Sequence, residues 1–355
     1  MNETDLEKEL QALKQLCEEQ AAVIADHEAL LMQQASAIRK LQNSPVWMVR
    51  FPGNLLTRLK HRIMNNHWMQ LGELRQYQPR PFTPEKFPEP AQDASTLPSI
   101  AIVTPSYMQG HFLERTLESV VSQDYPGLQY VVQDGGSKDS SVEVIKRYES
   151  KLASWTSAPD KGQSDAISRG FGVCQGDIMA WLNSDDMLMP GALRFVGEYF
   201  AAHPEVDAVY GHRVIIDDEG KEIGRWVLPA HDPEILKWAD YVPQETLFWR
   251  RKLFDKVGGV DTSFHFAIDW DLLVRFQNAG ANIVRLPYFL GCFRVHTTQK
   301  TSAQMVNSIG EQEMAIIRKR IHGKLVSKRE VANHTRRFCR KGVKTSYLLS
   351  MGIRA

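Results

Sequence analysis

Four acids and one histidine stand where apolar runs of this chain stop, and these side chains have chemistry to offer. Asp134 opens the turn Asp134-Gly135-Gly136-Ser137, and Asp185 and Asp186 close Asn183-Ser184-Asp185-Asp186. Asp269 follows in AIDWDLLVRF and His296 in FRVHTTQ. A carboxylate in a turn supplies the hard oxygen ligands that Mg²⁺ or Mn²⁺ takes, and such a cation neutralises charge growing on an anionic leaving group. It can equally cap a helix by accepting free backbone N–H groups, an alternative that suits Asp186 better than Asp185. Asp134 can accept hydrogen bonds from a ligand N–H or hydroxyl; the competing reading is an ordinary Asx turn. Asp269 has Ile268 beside it, and an apolar neighbour raises a carboxylate pKa by desolvation, as a general base near neutral pH requires. Asp271 reads instead as the N-cap of a helix over 271–279. Lys161 and Arg169 flank GQSDAIS and can reach an anionic ligand, while Asp165 either joins them or caps the helix that starts nearby.

The elements that must position these residues are alternating strand and helix patterns. Ile100–Val103 is a short apolar run ending at Thr104-Pro105-Ser106, and Phe112, Leu113, Leu117, Val120 and Val121 then recur at helical spacing. Tyr130–Gln133 predicts the next strand, helices follow near 139–150 and 163–174, and 177–182 predicts another strand. This alternation points to βαβ units and a mostly parallel sheet. Ligands in such sheets bind outside the carboxyl ends of the strands, where both acidic turns, 134–139 and 183–186, fall. Thr104, Pro105 and Ser106 then form the wall beside Asp134, because side chains at adjacent strand ends converge.

The flanks differ from this core. Residues 1–42 contain no Gly or Pro and repeat every seven residues, with Leu10, Ile24, Leu31 and Ile38 on one seam position and Leu6, Leu13 and Leu41 on the other. Burying that seam needs a partner, so a coiled coil and a homo-oligomer are expected; the alternative is a solvated helix folded back on its own domain. Residues 45–75 interleave Trp47, Phe51, Leu55, Leu59 and Ile63 with Arg50, Arg58, Lys60 and Arg62. Such a segment lies in an anionic membrane interface or docks on the globular domain. Six prolines in 76–98 predict an extended tether. Residues 313–355 carry twelve Lys/Arg against Glu313 and Glu330.

The expected organisation is a coiled-coil helix over 1–43, an amphipathic basic helical segment over 44–78, a Pro-rich linker over 79–98, an α/β domain over 99–302 and a basic helical region over 303–355. The whole chain balances 43 Lys/Arg against 42 Asp/Glu, too even for a protein that coats nucleic acid. Its 43% hydrophobic content supports a real core. It has no uninterrupted apolar run long enough to span a bilayer, an acidic start unlike a signal peptide, and four cysteines without a CxxC pair, which together place it in a reducing cytosol.

Taken in order, SIAIVTPSYMQGHFLERTLESVVSQDYP, YVVQDGGSKDSS, APDKGQSDAISRGFGVCQGDIMAWLNSDD, VYG, QETLFWRR, FAIDWDLLVRF and CFRVHTTQKTS resemble the family 2 glycosyltransferases, in particular the bacterial branch that assembles O-antigen and related surface polysaccharides. The resemblance covers over half of the chain. It implies a GT-A-type nucleotide-binding domain and an inverting transfer from a nucleotide-sugar donor, UDP foremost, to a lipid-linked glycan, by an enzyme peripheral on the inner face of the cell membrane. On the donor side it implies Thr104, Pro105, Ser106, Asp134, Lys161, Asp165, Arg169, Asn183, Ser184 and Asp185. For Mg²⁺ or Mn²⁺ it implies Asp185, Asp186 and His296; the alternative for His296 is a structural histidine. Asp269 matches the family's catalytic base, with Gln244 and Trp270 on the acceptor side, while core packing is the plainer account of Trp249. The family commonly has an acid where Asn183 stands and Glu where Ile268 stands. Those two departures, with the coiled coil, motivate a rival reading as an inactive assembly scaffold. A second rival, a sugar-phosphate nucleotidyltransferase, calls for a Gly-rich loop bearing Lys or Arg after the first strand, whereas TPSYMQGH has one Gly and neither cation.

Overall fold

The sheet is built from strands whose both faces are apolar. In a computed structural model, which describes residues 76–91, 93–297, 299, 309–350, 352 and 354, β1 (Ile100–Ser106) is buried along its whole length. Ile100 and Ile102 pack into one layer with Leu113 and Leu117 of α1 (Gly110–Val121), while Ala101 and Val103 pack into the other with Ile167 and Phe171 of α3 (Gln163–Gly172). A near-continuous apolar strand covered on both faces is the pattern of a parallel sheet core. β2 (Leu128–Asp134) and β3 (Ser154–Ser157) follow α1 and α2 (Ser141–Tyr148), and β4 (Ile178–Trp181) follows α3.

These four strands pair in parallel in the order β3-β2-β1-β4, as the βαβ pattern predicts. The chain order reverses between β1 and β4, so a crevice opens beyond their carboxyl ends, the usual ligand position in an open α/β sheet. Beyond β4 the sheet is mixed. β8 (Phe248–Arg250) runs antiparallel between β4 and β6 (Ala208–Ile216). β9 (Ile283–Arg294) is parallel to β6, β5 (Met187–Leu188) is antiparallel to β9, and β7 (Glu222–Trp226) is antiparallel to β6. Parallel pairing therefore rules the half that carries the acidic turns, and the other half mixes the parallel β6–β9 pair with antiparallel ones.

Between these strands lie α4 (Ala192–Ala202), α5 (Pro233–Leu236), α6 (Arg251–Lys256) and α7 (Ile268–Asn278); α8 (Glu311–His322) and α9 (Lys328–Ser350) come last. The basic region does form helices. Ile317 of α8 and Phe338 of α9 are nearly fully buried in the same layer as α3 and α7. The Pro-rich stretch is extended, yet it lies on the body. Tyr77 and Arg80 exchange backbone hydrogen bonds with Ile223 and Glu222, and Phe82 and Phe87 pack beside Val214, Ile216 and Phe289. The expected coiled coil over 1–43 and the amphipathic segment up to residue 75 lie outside the described residues. No described helix is long and apolar enough to cross a membrane.

Candidate functional site

The Asn183-Ser184-Asp185-Asp186 turn leaves β4 at the crevice and is held from three sides. The Thr116 hydroxyl of α1 lies 2.8 Å from the Ser184 carbonyl and 2.7 Å from that of Asp186. Arg294, at the end of β9, donates from Nε to the Asp185 carbonyl at 2.8 Å and from its backbone N–H to Asp186 Oδ1 at 3.0 Å. Gln163 Nε2 donates to Asn183 Oδ1 at 2.6 Å. This frame separates the two acids. Asp185 stays half-buried at the surface of the turn, and its Oδ2 lies 3.0 Å from His296 Nε2. Asp186 turns inward: it is 2% exposed, and Asn183 Nδ2 reaches its second oxygen at 3.4 Å. Burial, with Asp185 and Glu245 beside it, pushes the Asp186 carboxyl well above the usual range.

Asp186 is turned into the fold, its oxygens taken by the Arg294 N–H and the Asn183 amide. Asn183, with its amide spent on Gln163 and Asp186, is a brace of the turn. Asp185 and His296 remain: one hard oxygen donor and one imidazole, side by side at the crevice. Among the described residues no cluster of three or more such donors exists. Two protein ligands still fit a cation that takes its remaining ligands from phosphate oxygens and water.

The other acidic turn lies across the crevice. Ser106, Asp134 and Ser157 end β1, β2 and β3 in register with one another. Asp134 Oδ2 accepts from the N–H groups of Gly136 and Ser137 at 3.1 and 2.9 Å and from Ser157 Oγ at 2.6 Å, while Oδ1 accepts from Ser137 Oγ at 2.5 Å. Gly136 holds φ at 82°, which is strained for any residue with a Cβ. Four donors fill the capacity of one carboxylate. The geometry is thus that of the Asx turn, with the sheet-end wall built around it. Ser106 Oγ, beside it, is buried without a hydrogen-bond partner, a polar atom a ligand could satisfy. Tyr107, next in chain, is 65% exposed and borders Gly135 opposite Asp160.

Asp165, in the first turn of α3, accepts from the Lys161 backbone N–H at 3.0 Å and pairs with Arg169 at 2.6 Å, which ties the preceding loop to the helix without capping it. Arg169 also donates to the Pro159 carbonyl at 3.2 Å, which ties it to the loop before α3. The Lys161 side chain is exposed beside that loop.

Asp269 sits one residue into α7, earlier than the helix start at 271 that the sequence suggests. Its Oδ1 accepts from the Trp270 N–H at 2.9 Å, and the residue as a whole is half-buried. Burial pushes its pKa up to about 6, opposed by hydrogen bonds from the helix start and by the charge of Arg213. Asp240, on the loop after α5, is driven well above the usual range by burial and by Asp269 nearby, and its Oδ1 has no partner. Arg213 forms a buried fork with Glu245, Nε to Oε1 at 2.8 Å and Nη2 to Oε2 at 2.5 Å. The charge of Arg213 acts on Asp186, Asp240 and Asp269 and opposes the rise that burial gives each of them. Asp271 is no N-cap: Arg275 and Arg320 hold its two oxygens at 2.8 and 2.7 Å.

On the acceptor side the structure divides the expected pair. Gln244 ties the chain to the end of β4 through Nε2 on the Trp181 carbonyl at 2.8 Å, and its buried Oε1 lacks a partner. Trp270 is fully buried with its indole N–H on the Leu236 carbonyl at 2.8 Å, so its side chain belongs to the core, which corrects its acceptor assignment. Trp249 is likewise fully buried.

Residues 101–264 match the model of glycosyl transferase family 2, a span that includes both acidic turns and Gln244. Over 190 residues the chain is 30% identical to an uncharacterized glycosyltransferase of Mycobacterium tuberculosis, covering 51% of this chain and 70% of that protein. The chain belongs to glycosyl transferase family 2. It is also 31% identical over 194 residues to the O-antigen biosynthesis protein RfbC of Myxococcus xanthus, a match of 53% of this chain and only 15% of that much longer protein. Two solved structures share the fold. One is S. aureus TarS 1–349 in complex with UDP-GlcNAc (TM-score 0.51, 15% identity, 71% of this chain and 75% of that one). The other is the mannosyltransferase PcManGT of Pyrobaculum calidifontis in complex with GDP-Man and Mn²⁺ (0.50, 18%, 75% and 79%).

Within this glycosyltransferase family 2 chain, Asp269 and His296 lie beyond the matched span, and the fold brings His296 back to within 3.0 Å of Asp185. The Arg213–Glu245 fork and Arg294 escape the sequence reading. Glu245 stands in the quoted QETLFWRR, but an arginine inside an apolar strand such as β6 carries no periodic signal of its partner.

Proposed function

We propose that the protein is an inverting glycosyltransferase that moves a sugar from a nucleotide-sugar donor to a glycan acceptor, lipid-linked, in surface polysaccharide synthesis. The observation that carries this reading is the Asp185–His296 pair, 3.0 Å apart at the turn that leaves β4, in a chain of glycosyl transferase family 2. An inverting displacement needs a cation-binding acid on the leaving-group side and a base on the acceptor side. Asp185 and His296 would hold Mg²⁺ or Mn²⁺, which when bound supplies counter-charge to the departing diphosphate. The nucleoside side would rest on Thr104, Pro105, Ser106 and the Asp134 turn, with Lys161 and Arg169 near the phosphates. Asp269 takes the proton from the acceptor hydroxyl as the new C–O bond forms and the bond to the diphosphate oxygen breaks, the electron pair leaving with the nucleoside diphosphate. A pKa near 6 leaves this carboxylate ionised at neutral pH and basic enough to accept that proton.

Asp185→Ala tests the donor half. Panels of UDP-, GDP- and dTDP-hexoses should include one that raises the melting temperature with Mn²⁺, since a ligand bound only to the folded state stabilises it. Asp185→Ala should keep the fold and lose both that shift and transfer. Full activity in EDTA, or an active Asp185→Ala enzyme, would reject the metal role, and no donor response at all would favour the scaffold reading.

A further inference from the structure

α8 comes from the segment that reads in sequence as basic tail, yet its contacts converge on the residues around Asp269. Glu313, 7% exposed, accepts three consecutive backbone N–H groups: His265 on Oε1 at 2.8 Å, and Phe266 and Ala267 on Oε2 at 2.8 and 2.9 Å. These N–H groups lead directly into α7. The Arg318 guanidinium stacks over the Trp270 ring, 5.1 Å from its centroid, and donates from Nε to the Trp238 carbonyl at 2.9 Å. Arg320 Nη1 donates to Asp271 Oδ1 at 2.7 Å. Gly310, just before α8, lets the chain approach Phe266 closely: a Cβ there would stand 3.1 Å from the ring. Ala267, Trp270 and Asp271, on both sides of Asp269, are thus each held by this one helix.

We propose that Glu313 is a positioning residue for Asp269, fixing the 265–267 turn so that the Asp269 carboxylate is presented to the acceptor. The proposal rests on the reading of Asp269 as the base. A carboxylate on three N–H groups is a charge-assisted anchor, stronger and more directional than the packing of a surface helix. It acts where a small displacement matters, because misplacing a reacting group by ~1 Å can cost ~10²-fold in rate. Glu313→Gln keeps the shape but turns an amide NH₂ toward N–H donors, so at most part of the anchor survives.

The test uses the full-length protein and whichever UDP-, GDP- or dTDP-hexose gives the largest thermal shift with Mn²⁺. Glu313→Gln should lower saturated turnover by ~10-fold or more, with donor affinity by calorimetry within about twofold of wild type. It should also move the acidic limb of the pH profile, because Asp269 would shift relative to Asp240 on the preceding loop, Arg213 on β6 and Glu245. A purely structural role predicts wild-type turnover and an unmoved limb well below the melting temperature, and that result overturns the proposal. If Glu313→Gln fails to fold, Arg320→Met decides the question: its guanidinium is half exposed, and the same limb should move with a smaller loss of turnover. Asp269→Asn is run alongside. Normal turnover in that variant rejects the base itself; an inactive Asp269→Asn with a fully active Glu313→Gln rejects only the positioning role.

Discussion

Asp269, the proposed base, is where stability and chemistry would be traded within one residue. Its folded-state pKa, pushed up to about 6, lies above the ordinary carboxylate value, so ionising it costs the folded protein as pH rises from about 4 through 6. Asp269→Asn removes that cost while keeping the shape. It should raise stability at pH 8, by on the order of 1–3 kcal/mol, and leave it unchanged at pH 4, read by denaturant unfolding at both values. Its turnover should fall by ~10²-fold or more. In the wild type, kcat/KM should drop with unit slope below about pH 6, because the protonated form cannot accept a proton. A mutant that is less stable at pH 8 would mean that the carboxylate is structural. At this scale the sequence locates the candidate acids through their turns and strand ends. It does not reveal which face each acid takes: Asp185 and Asp186 are neighbours, and only the backbone grip of Arg294 and Thr116 turns one outward and the other in. Trp270 likewise follows Asp269 in chain but, a helix step away, points into the core.

At the scale of elements, the strap 76–91 turns composition into packing. Prolines keep it extended, and Glu222 of β7 anchors it, receiving Tyr77, Arg80 and Arg225 on a fully buried carboxylate. Hydrogen bonds from those three partners outweigh burial and hold its pKa down to about 2. A depressed carboxylate stabilises the fold above its unfolded value, near 4.5, and that contribution is lost as pH falls toward 2. Glu222→Gln should cost on the order of 2–4 kcal/mol at pH 7 and much less at pH 2, with protease nicking rising first in the strap. Equal losses at both values would contradict the ionic anchor. The βαβ half of the sheet is legible from periodicity, since β1 and β2, and β2 and β3, are neighbours joined across an intervening helix. The pairing of β6 with β9 is not, because residues some seventy apart must meet and apolar alternation does not name a partner. A buried polar anchor such as Glu222 or Glu313 is invisible for the same reason: its donors are backbone or distant side chains.

At the scale of the whole molecule, charge is segregated. Exposed Lys328, Arg329, Arg336, Arg337, Arg340, Lys341 and Lys344 line α9, while its buried face rests on the body through Phe338 and Thr335. Under the proposal of a membrane-bound acceptor, this helix and residues 45–75 should bring the protein to anionic vesicles at low salt and release it as salt rises, each basic residue near the surface contributing roughly 1 kcal/mol. Sedimentation with vesicles of anionic and of neutral lipid checks this, and equal binding to both would reject the electrostatic part. Light scattering should find an oligomer that deletion of 1–42 dissolves; an intact monomer would reject the coiled coil. The central claim, inverting sugar transfer, is tested most directly by proton NMR of the first sugar released from an α-linked nucleotide hexose in the presence of Mn²⁺. The account predicts that the β anomer appears first and mutarotates to the mixture. Initial release of the α anomer would contradict it.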